Sequence, residues 1–116
     1  MSRKPSGRAF ATVAAALLML QSNVAVAFDW SVSGRVTVLE PSYMPGWISF
    51  QIDTSVGSCP AGAWLTWNAQ GADQASKIAN SQAVYATLLT AKASGRSVTL
   101  FGANSGCVIE HIHFHG

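Results

Sequence analysis

Charge is scarce in this chain. Seven Lys and Arg and five Asp and Glu make up only 10% of its 116 residues, against about a quarter in ordinary domains. Such a composition excludes a polyacidic or polybasic disordered tail, and 49% hydrophobic residues supply a core. The length allows one small domain. The ten glycines never take the spacing of the Walker or dinucleotide loops. Gly-x-Ser-x-Gly is missing, and the three histidines that a hydrolytic triad would draw on are confined to the C-terminal end. Paired-acid catalysis has few carboxylates to use: Asp53 and Glu110 fall on predicted strands, Glu40 ends one, and the rest lie in turns or flanks. The expectation is a protein that is not an enzyme.

Also missing is an apolar run of the roughly 20 residues that a membrane-spanning helix needs. Phe10 to Leu20 is uncharged but too short; Arg3, Lys4 and Arg8 precede it and Ala25-Val26-Ala27 follows it. This order predicts a secretory signal peptide over 1–27, cleaved after Ala27, and a binding domain over 28–116. The formal charge of +2 and the pI of about 8.8 then belong to the precursor. Arg35, Lys77, Lys92 and Arg96 remain against Asp29, Glu40, Asp53, Asp73 and Glu110, a net −1. No basic cluster is left to bind nucleic acid or anionic lipid. A secreted or periplasmic protein without a membrane span is expected.

In an oxidising compartment the only two cysteines, Cys59 and Cys107, form a disulfide. A metal pair would want closer spacing, and a catalytic thiol would leave an unpaired partner. Closing a loop this long stabilises a small domain by roughly 4 kcal/mol in the chain-entropy model.

Alternation predicts a first strand over Val32–Glu40, with Val36 and Val38 on one face and Thr37 on the other, ended by Pro41. A second strand spans Trp47–Asp53, with Ile48, Phe50 and Ile52 on the core side. After a Gly/Ser/Pro loop at Thr54–Gly62 comes a third over Ala63–Asn68, where Trp64 and Trp67 must face opposite sides. The period then becomes helical over Ser76–Ser94, through Ile78, Tyr85, Leu88 and Leu89, with Asp73, Ser76 or Ser81 as cap and Gly95 as the left-handed stop. Arg96–Phe101 and Cys107–His115 are the fourth and fifth strands, joined by a turn at Asn104-Ser105-Gly106. Three strands, a helix and two strands match a mainly β, five-stranded oligonucleotide/oligosaccharide-binding (OB-fold) barrel with its helix between strands three and four. The alternative is an α+β open sheet with one covering helix.

Spacing of two puts His111, His113 and His115 on one strand face, a candidate Zn or Cu site. Same-face residues lie nearly 7 Å apart along a strand, so a shared metal requires curled side chains; plain polar edge residues are the competing interpretation. The four tryptophans, Trp30, Trp47, Trp64 and Trp67, suit a small core. Trp47 is the exception, because its neighbours claim the core face and leave it outward for sugar stacking or subunit contact.

Asp29-Trp30-Ser31-Val32-Ser33-Gly34-Arg35-Val36, Trp47-Ile48-Ser49-Phe50, Ala83-Val84-Tyr85-Ala86-Thr87-Leu88-Leu89 and Ser94-Gly95-Arg96-Ser97-Val98-Thr99-Leu100 resemble stretches of small secreted bacterial proteins. The chain is similar in these to the B subunits of AB5 toxins of the subtilase-cytotoxin type. The resemblance implies an OB-fold barrel, a ring pentamer and sialylated-glycan binding, with Asp29 and Ser33 at the matching glycan contacts. It also implies a tyrosine at the end of the fourth strand, where this chain has Gly102 after Phe101. The leading expectation is thus an oligomeric module that binds glycan or glycoprotein through Asp29, Ser33 and Trp47. A periplasmic transition-metal protein using the His cluster, and an inhibitor or scaffold for a partner protein, are the alternatives.

Overall fold

One long strand, β1 (Trp30–Glu40), organises the sheet in the computed structural model, which describes residues 28–103 and 106–115. The expected leader, Asn104 and Ser105 of the expected turn, and Gly116 lie outside the described residues. The other elements are β2 (Trp47–Ile52), β3 (Leu65–Asn68), α1 (Gln74–Ser94), β4 (Ser97–Gly102) and β5 (His111–His113). All ladders are antiparallel, in the order β3-β2-β1-β4-β5. Among the described residues the fold is mainly β: an unclosed five-stranded sheet with one helix between β3 and β4.

β1 changes partner half-way. Trp30 to Arg35 pair with Gly102 to Ser97 of β4, whereas Val36 to Glu40 pair with Ile52 to Ser49 of β2. At the change Arg35 and Asp53 clasp each other: the Arg35 N–H donates to Asp53 Oδ1 at 2.8 Å and the Asp53 N–H to the Arg35 carbonyl at 3.1 Å. Gly34 makes room for this, since a Cβ there would lie 2.9 Å from Ile52 Cδ1 and 3.1 Å from Asp53 Oδ1. Just beyond, the register slips between Val36 and Val38, a β-bulge with Thr37 as the extra residue. The bulge corrects the expected alternation: Val36 is buried, but Val38 faces solvent beside Thr37.

Alternating residues of β2 and β4 fill the core with Ile48, Phe50, Ile52, Val98 and Leu100, joined by Leu65 and Trp67 of β3. α1 lies against β1, β2 and β4. Asp73 caps it by accepting the Ser76 N–H at 2.8 Å, and Gly95 ends it at φ 70°. Its inner stripe is Ser81, Leu88 and Ala91 rather than one including Leu89. Leu89 stands about 100° round the helix from Leu88 and is exposed. Among the described residues no helix is long and apolar enough to cross a membrane.

The fifth strand is shorter than expected, three residues instead of the nine of Cys107–His115. The segment serves two partners in turn and cannot hold one regular ladder. Val108 makes an isolated parallel bridge with Thr66 of β3, through Thr66 N–H to the Cys107 carbonyl at 2.9 Å and Ile109 N–H to the Thr66 carbonyl at 2.8 Å. From Glu110, whose N–H donates to the Phe101 carbonyl, the chain follows β4. The Cys59–Cys107 disulfide fastens the β2–β3 loop to this crossing point, spanning a sequence separation of 48.

Replacing both cysteines by serine is expected to lower stability by about 2–4 kcal/mol, read as a fall in the urea midpoint. The amides of Thr66 and Ile109 should then exchange with solvent faster than those of β2. The Arg35 N–H, above all, holds the Asp53 carboxyl below its usual pKa, with the Thr54 hydroxyl and the Arg35 charge adding to it. A carboxylate of depressed folded pKa contributes stability that is present above its unfolded pKa of about 3.9 and is lost as pH falls through the folded value. Wild type should therefore unfold at higher urea than Asp53→Ala at pH 7, and the gap should narrow as pH falls below about 4.

Candidate functional site

Strand alternation turns Ser31, Ser33 and Arg35 of β1, Ser97, Thr99 and Phe101 of β4, and His111 and His113 of β5 to one outer face. Register assembles them into two rows. Ser33 lies opposite Thr99 and Thr99 opposite His113, while Ser31 lies opposite Phe101 and Phe101 opposite His111. In the first row the Ser33 and Thr99 hydroxyls are hydrogen-bonded at 2.8 Å, and Thr99 Oγ1 also reaches His115 Nε2 at 3.4 Å. In the second row the Phe101 ring meets His111 and His113 edge to face, with centroids 5.5 and 4.9 Å away. Phe28 extends this aromatic surface, 5.5 Å from Phe101 and 5.9 Å from His111. Hydroxyls that both donate and accept thus stand next to apolar ring surface on one exposed face.

Ser33 sits in the middle of this face. Asp29 lies exposed one residue ahead of β1, its N–H donating to the Gly102 carbonyl at 2.9 Å. Trp47 lies elsewhere, at the start of β2, which pairs with the other half of β1. The three residues expected at a glycan site therefore do not form one site. The histidines divide as well: His111 and His113 curl together until their Nε2 atoms are 2.9 Å apart, while His115, beyond the end of β5, turns to Thr99. Among the described residues no group of three or more His, Cys, Asp or Glu is placed to hold a metal ion, so the expected three-histidine set is not assembled.

Comparison with protein-family models, curated proteins and solved structures finds no match to this chain. The functional reading rests on the geometry.

Gly102 faces inward. A Cβ at that position would run into the Trp30 ring and come within 2.9 Å of the Val108 carbonyl oxygen. No tyrosine fits there, and the aromatic ring on the face of Ser33 belongs to Phe101 instead. Thr99 and Phe101 were not singled out from the sequence, because only the β1–β4 register puts them beside Ser33 and Ser31. Alternation over Arg96–Phe101 was the available signal, but it does not name a partner strand.

A second exposed surface covers the other half of the sheet. Trp47 is 41% exposed and stacks on Tyr43 at 4.8 Å and 13°; Tyr43 and Trp64 are each 49% exposed and Val38 39%. Trp64, immediately before β3, is outward while Trp67 is buried, in line with their spacing of three. Between α1 and β5 lies a cleft of about 230 Å³ lined by Asn80, Val84, Thr87, His111 and Ile112, with Trp67 bonded to Asn80 at its wall. It is smaller than the roughly 300 Å³ at which ligand pockets begin.

Proposed function

We propose that the chain is a secreted or periplasmic, non-enzymatic module that binds glycan on the outer face of β1, β4 and β5 and self-associates through the outer face of β2 and β3. The observation that carries the glycan reading is the hydrogen-bonded Ser33–Thr99 hydroxyl pair beside the Phe101 ring. A sugar presents hydroxyls that donate and accept together with an apolar C–H surface; paired hydroxyls answer the first and an aromatic ring the second. Net charge near neutral in 28–116 favours such a ligand over a polyanion.

The finer architecture proposed is an OB-fold-like barrel. The parallel bridge from Thr66 to Val108 supports it, because it joins the edge strand β3 to the segment that leads into the other edge strand, β5. The helix between the third and fourth strands supports it too. On this reading the chain is similar to the B subunits of subtilase-type AB5 toxins, and a ring pentamer is the proposed assembly. Val38, Tyr43, Trp47 and Trp64 supply the self-contact, since four of the six large exposed hydrophobics among the described residues lie in that half of the sheet. The disulfide supports an extracytoplasmic location.

Glycan-array binding by the disulfide-bonded protein tests the ligand. Wild type should bind sialylated glycans, and Ser33→Ala and Thr99→Val should each weaken binding about tenfold, the cost of roughly one hydrogen bond. An empty array from folded protein would overturn the reading. Light scattering tests assembly: wild type should run as a multiple of the chain mass, and Trp47→Ser with Trp64→Ser should shift it towards monomer. A monomeric wild type removes the ring.

A further inference from the structure

The two imidazoles of β5 carry an inference that is independent of the glycan reading. His111 and His113 occupy alternate positions of one strand and turn their Nε2 atoms to within 2.9 Å of each other. Both rings are set against one hard surface, Phe101, and pack on each other at 4.7 Å between centroids and 71° between planes. Both residues are exposed, so their far side is open to water.

The nitrogen separation can be set against the ligand–ligand edges of metal sites. With metal–nitrogen bonds of about 2.0–2.1 Å, two ligands at a right angle are separated by about 2.9 Å and two at the tetrahedral angle by about 3.3 Å or more. The observed 2.9 Å is the length of a hydrogen bond between the two rings, and it equals the right-angled edge. Square or tetragonal nitrogen coordination is the preference of Cu(II) and Ni(II), whereas Zn(II) prefers the tetrahedron. Imidazole is a suitable ligand for all three; the general affinity order already places Cu(II) above Ni(II) and Zn(II), and the right angle adds a preference for tetragonal coordination.

We propose that His111 and His113 form a two-nitrogen edge that binds one Cu(II) or Ni(II) ion, with water in the remaining positions. Both Nε2 atoms then act as lone-pair donors to the metal, in place of the single hydrogen bond that one ring can donate to the other in its absence. His115 stays outside the site, with its Nε2 directed to Thr99.

The test uses untagged, disulfide-bonded protein, without any sugar, titrated with Cu(II) and separately with Zn(II) by calorimetry, and a Cu(II) sample read by electron paramagnetic resonance. Expected are one equivalent of Cu(II), an axial tetragonal spectrum with splitting from two nitrogens, and Zn(II) binding at least about tenfold weaker. His111→Ala and His113→Ala should each weaken Cu(II) binding at least about tenfold, and His115→Ala by less than about threefold. The spectrum of the wild-type protein needs no variant, and His111→Gln repeats the test should the alanine variant misfold. Absence of Cu(II) binding, unchanged affinity in either His111 or His113 variant, an equal loss in His115→Ala, or Zn(II) binding as tight as Cu(II) would each overturn the proposal. An empty glycan array leaves it untouched, because no sugar enters the measurement.

Discussion

The structure depends on β1 serving two strands in succession. A strand that pairs with β4 along its first half and β2 along its second needs a place where the ladder is handed over, and that place leaves backbone groups without their regular partners. Here the Arg35–Asp53 clasp takes up those groups, Gly34 lets β1 and the end of β2 approach, and the bulge after Val36 re-aims the strand. The strand order follows from this one handover, with β2 and β3 on one side of β1 and β4 and β5 on the other.

The same handover separates the two exposed faces. Ser33 lies before it and belongs with Thr99, Phe101 and the histidines; Val38 lies after it and belongs with Tyr43, Trp47 and Trp64. One half is a surface of hydroxyls, imidazoles and one aromatic wall, suited to a polar ligand. The other is dominated by large rings with little charge among them, suited to burial. The crossing at Cys107 to Ile109 ties β3 and the β2–β3 loop to the segment that leads into β5, through the Thr66 bridge and the disulfide. Neither half of the sheet can shift far without straining that tie.

Much of the fold was legible because it depends on local rules. Ile48, Phe50 and Ile52 alternate against Ser49 and Gln51, and they are buried as alternation requires. Asp73 and Gly95 bracket α1 because one offers a carboxylate to an N-terminal amide and the other tolerates a left-handed turn. Trp64 and Trp67 fall on opposite sides because three is an odd step along extended chain. Expectations failed where a contact from far along the chain entered. Val38 is outward because of a bulge against β2, and the fifth strand shrank because its first residues follow β3 before its later ones follow β4.

The candidate site divides along the same line. By itself the sequence determined that His111 and His113 would share one strand face, that the cysteines would pair and that Trp47 would face away from the core, since each follows from period, composition or count. Only the tertiary structure decided which of these are neighbours. Ser33 meets Thr99 across a separation of 66 residues, Trp47 ends on the other half of the sheet, and two of the three histidines join their Nε2 atoms while the third keeps its ring 6.0 Å from His113 and its Nε2 on Thr99. The reason is physical: alternation sets which way a side chain points, but strand register sets what it faces, and register here is decided by the handover in β1.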